Sequence, residues 1–198
     1  MSTDKVIPAG GEEAKKHAPE IRFHQNVVAF CDYVTEIVEL ANDENINCPV
    51  TPFTMTILKA VVSASDPHKM MQSFINKSQE SWDKIYEKNL DYFRSPEGLA
   101  VFDKAPKEHV EAFSKLIDYK IIPLKEDGSP DTEKATFLVN EERRESLWKF
   151  FHSFVKQSIC YIYIQRKPDP VTKKPTISFC PKISIKNLTQ KWNIVKLE

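Results

Sequence analysis

Apolar residues recur at helical spacing over most of this chain. Pro19 suits a first helical position, where its missing N–H costs nothing. After it Val27, Phe30, Cys31, Val34, Ile37, Val38 and Ala41 follow at offsets of three and four and draw one apolar stripe. Asp32, Glu36, Glu39 and Asp43 repeat at the same spacing on another face, and the helix is predicted to stop near Ala41. Thr51-Pro52 and Asp66-Pro67 then give the same signal twice: a capping oxygen followed by a proline. The second predicted helix, 52–63, should pack through Ile57, Leu58, Val61 and Val62. A longer stripe runs from Met70 through Phe74, Trp82, Ile85 and Leu90 to Phe93, with a predicted break near Asn76–Ser78. Ser95-Pro96 and Pro106 open two further pieces. The Pro- and Gly-bearing run 123–132 is the clearest loop.

Asn140 heads the last predicted helix, with Glu141 and Glu142 in its first turn, where acids suit the helix dipole. It carries Leu147, Trp148, Phe150, Phe151, Phe154 and Val155. After Ser158 the texture changes. Ile159 to Ile164 is β-branched and aromatic, and 176–179 and 182–186 alternate apolar with polar, the pattern of strands. The fold class expected is α+β: a flexible arm over 1–18, a domain of five or six helices over 19–158, and a small antiparallel β element over 159–198.

Composition adds constraints. Of 198 residues, 41% are hydrophobic, enough to bury a core, and only four are glycine. So few glycines disfavour phosphate-cradling loops, and neither G-x-x-x-x-G-K nor G-x-G-x-x-G occurs. No run of about 18 apolar residues exists, so no membrane contact is expected. The N-terminal segment has no apolar secretory core, so an intracellular setting is expected. Cys31, Cys48, Cys160 and Cys180 then read as reduced thiols.

Candidate chemistry is sparse. Cys31 with His24 and Cys160 with His152 lie seven or eight residues apart, roughly 10–12 Å along a helix, beyond hydrogen-bond reach. The five histidines show no metal-ligand spacing, and His68 reads as a surface residue. No catalytic, cofactor-binding or metal-ligating residue is therefore assigned, and no cofactor is expected.

Charge is the remaining signal. Net charge is zero, but residues 1–164 hold 20 basic against 26 acidic side chains, while 165–198 hold 8 against 2. Arg166, Lys167, Lys173, Lys174, Lys182 and Lys186 are accordingly candidate partner-binding residues, joined by Trp148 and Phe151 on the aromatic helix. The acidic stripe Asp32, Glu36, Glu39, Asp43 reads as a solvated face or as a docking edge for a basic partner. The functional expectation is a non-enzymatic structural or adaptor protein, contacting a protein partner or its own copies. Membership of a large assembly such as a virion fits the Gly-poor, Lys-rich character. The alternative is a nucleic-acid-binding accessory protein that uses the basic segment, since lysines interleaved with aromatics suit that role.

Overall fold

The computed structural model describes residues 18–43, 48, 50–99, 107–165, 171–172 and 185–194. Most of them are helical. In chain order the elements are α1 (Pro19–Asp43), α2 (Pro52–Ala64), α3 (Pro67–Ser78), a 3-10 turn (Gln79–Ser81), α4 (Trp82–Tyr86), α5 (Leu90–Arg94) and α6 (Pro96–Leu99). They continue with α7 (Lys107–Ile117), β1 (Lys120–Ile121), a 3-10 turn (Thr132–Lys134), β2 (Thr136–Phe137), α8 (Glu141–Gln165) and α9 (Ile185–Lys191).

Local chemistry explains most of the boundaries. Thr51 and Asp66 cap α2 and α3, accepting from the backbone N–H of Thr54 and Lys69 with a proline at the first helical position. Asn140 does the same for α8, its Oδ1 accepting from Arg143 N at 2.9 Å. The long third stripe breaks at Ser78. Its buried hydroxyl donates to the Phe74 carbonyl one turn back and accepts the Trp82 indole N–H at 2.9 Å. A serine bonding back to the i−4 carbonyl weakens the helical ladder, and α3 passes there into the 3-10 turn.

Helices α1 and α8, each of 25 residues, form the central pair. Asn26 of α1 donates to Ser153 of α8 at 2.7 Å across that contact. Two apolar clusters flank it. One gathers Phe23, Met71, Ile75, Trp82, Ile85, Phe154, Val155, Ile159 and Ile162, closed by Leu188 and Trp192 from the end of the described chain. The other gathers Cys31, Val34, Ile37, Val38, Met55, Leu116, Leu138 and Val139. Phe30 packs against both.

The sequence reading of the strands needs three corrections. Residues 159–164 continue α8 and are not a strand. Phe154, Val155, Ser158, Ile159 and Ile162 are buried at helical spacing, while Tyr163 and Ile164 point outward. Packing against α1 and α3 overrides the β-branched preference. The two-stranded antiparallel sheet among the described residues instead closes the predicted loop, pairing Lys120 with Phe137 and Ile121 with Thr136. Ile185 and Lys186, read as a strand end, begin α9. The predicted arm up to residue 17 and the alternating run 176–184 lie outside the described residues.

Candidate functional site

The residues singled out from sequence fall into three groups. Arg166, Lys167, Lys173, Lys174 and Lys182 lie outside the described residues. Lys186 is exposed on α9, and its neighbour Lys191 is held by Asp83 at 2.6 Å. Trp148 and Phe151 are half-buried and belong to an internal aromatic layer. Trp148 packs on Phe93 and Phe151, and Phe151 packs edge-on to Phe30 and Phe154. That aromatic helix is therefore spent largely on the protein's own core.

The histidine and cysteine pairs are separated by their hydrogen bonds. His24 Nε2 donates to the Val62 carbonyl and His152 Nε2 to the Ile85 carbonyl, each at 2.9 Å. Burial pushes the Cys31 thiol up from its ordinary range, with Asp32 adding to the effect, and burial pushes Cys160 up as well. A raised thiol pKa leaves little thiolate at neutral pH. Cys31, Cys48 and Cys160 are free. His68 is not simply on the surface as expected: its ring lies 2.9 Å from the Tyr161 hydroxyl. Among the described residues no cluster of three or more His, Cys, Asp or Glu could hold a metal ion. No helix among them is long and apolar enough to cross a membrane.

The acidic stripe is partly used inside the fold. Asp32 forms an ion pair with Lys59 of α2, while Glu36, Glu39 and Asp43 stay exposed.

What the sequence did not single out is the outer face of α2. The expected packing face is corrected here: Met55 is fully buried, Leu58 and Val62 pack against the second cluster, and Ile57 and Val61 face away. Phe53 is 72% exposed, Ile57 49% and Val61 59%. Thr56, Ala60, Ser63 and Ala64 complete the outward surface. Lys59 is the one charged residue of α2, and its partner Asp32 lies on α1. The outward face thus carries three large apolar side chains in one helical stripe and no charge. Single exposed apolar residues are ordinary on protein surfaces. A contiguous uncharged stripe is the pattern of a contact surface. The comparisons add no likeness: no family model, curated protein or solved structure matches this chain.

Proposed function

We propose that this protein is a non-enzymatic adaptor or structural subunit that engages a protein partner through the outer face of α2. The observation that carries the reading is the exposure of Phe53, Ile57 and Val61 together on a helix whose outward surface holds no charge. Fully burying a large apolar side chain is worth about 1.5–3 kcal/mol, so covering three of them supplies a real driving force for association. The helix beneath is firmly seated. Met55 is wholly buried, Thr51 and Pro52 fix its start, and His24 and Asp32 of α1 grip Val62 and Lys59. A rigid face loses little entropy on binding.

Photocross-linking from a probe at Ile57 tests this in the native compartment, with the same probe at exposed Lys156 of α8 as control. The expected result is protein adducts from Ile57, identified by mass spectrometry, that Lys156 does not give. Equal adducts from both positions, or none from either, overturn the proposal.

A further inference from the structure

We infer that the occupant of the α2 face is a second copy of this chain, seated antiparallel across a two-fold axis. The inference rests on the docking reading above and names its partner. In a symmetric contact the same patch meets itself, residue i against j and j against i, so a patch of one charge sign meets its own sign. A self-pairing face must therefore be neutral or internally balanced. The outward α2 surface meets that condition, since Lys59, the one charged residue of the helix, is paired with Asp32 of α1. Neighbouring α1 does not meet it, because its outward Glu36, Glu39 and Asp43 would confront their own images.

Side-chain size supplies the second argument. Phe53, Ile57, Ala60 and Ala64 follow at spacings of four, three and four, the a/d pattern of a two-helix seam, flanked by Val61 and Thr56. The large residues lie at one end and the small ones at the other. Antiparallel pairing places Phe53 against the copy's Ala64 and Ile57 against its Ala60, with Val61 beside Thr56. Each layer then sets a large side chain against a small one, and the alanines let the two backbones approach. Parallel pairing would instead crowd Phe53 against Phe53 and leave a gap between the alanines.

A 13-residue helix spans only about 20 Å, so the seam alone covers less than the roughly 800 Å² per partner of a standard stable interface. The dimer is accordingly a concentration-dependent one.

Sedimentation velocity on the full chain over about 1–300 µM tests it. The expected result is a monomer–dimer equilibrium whose dissociation constant rises more than about tenfold in Ala60→Glu. Helicity should stay unchanged in that variant, because Ala60 is exposed and Glu is a good helix former. Register is read by mixing Ile57→Cys and Ala60→Cys chains under oxidation, with wild type controlling for native thiols. Heterodimeric cross-links should exceed either homodimer. A chain that stays monomeric throughout overturns the second copy, as does a dimer indifferent to Ala60→Glu or one in which the Ala60→Cys chains cross-link mainly to each other. If the probe at Ile57 then captures a different, identified protein, the docking face stands and only the copy fails. If it captures nothing, both fail.

Discussion

Two buried serines do different work with the same hydroxyl. Ser78 accepts the indole N–H of Trp82, one of the largest wholly buried side chains, while donating to the Phe74 carbonyl. Removing it leaves a buried donor unpaired, at a cost of about 1–3 kcal/mol. Ser158 donates to the Phe154 carbonyl and touches the Met71 sulfur, and among the described residues no buried donor bonds to it. Urea denaturation should therefore show Ser78→Ala losing about 1–3 kcal/mol, and Ser158→Ala less than about 1 kcal/mol, because the carbonyl it leaves remains within the helix ladder. Two equal losses would count against this division of roles. Neither role was legible in the sequence beyond the weak middle that Ser78 makes in its stripe. Which serine faces an indole is decided by packing.

At the scale of elements, what was legible was local. Thr51, Asp66 and Asn140 announced three helix starts because a capping oxygen and its backbone donor lie within three residues of each other. The sheet was illegible for the opposite reason. Its strands are two residues each, too short for any alternation, and their pairing spans a loop. The α2 face was misread because that helix is apolar nearly all round, so periodicity cannot say which side meets α1. At the end of α8, composition favoured a strand and packing made a helix. The two arrangements predict different stability patterns. In the helix Ile159 and Ile162 are buried and Ile164 is partly exposed. Ile159→Ala and Ile162→Ala should each cost about 2–5 kcal/mol, while Ile164→Ala should cost under about 1 kcal/mol. Thermal and chemical denaturation of the three variants checks the order. A strand would instead group Ile162 with Ile164.

Across the whole molecule, the helical domain was visible from its stripes, while the outward apolar face of α2 was not. Charge and aromatic density pointed to the C-terminal lysines and to Trp148 and Phe151. An exposed apolar face is betrayed only by knowing which residues the core has already taken. The α1–α8 pair has a further consequence, for synthesis. The hydrogen bond from Asn26 to Ser153 spans 127 positions of sequence, and Phe23 and Phe30 rest on rings of Phe150, Phe151 and Phe154. A growing chain emerges N-terminus first, so α1 leaves the ribosome long before the helix that covers it exists. Until α8 arrives, one flank of α1 is without its partner, and the first cluster also waits for Leu188 and Trp192. A chain stopped at residue 140 is frozen at that stage and should partition into the pellet on expression, where the full chain stays in the supernatant. Adding α8 as a separate peptide during refolding should recover part of it. In this protein α8 and the residues after it decide whether α1 has anywhere to go.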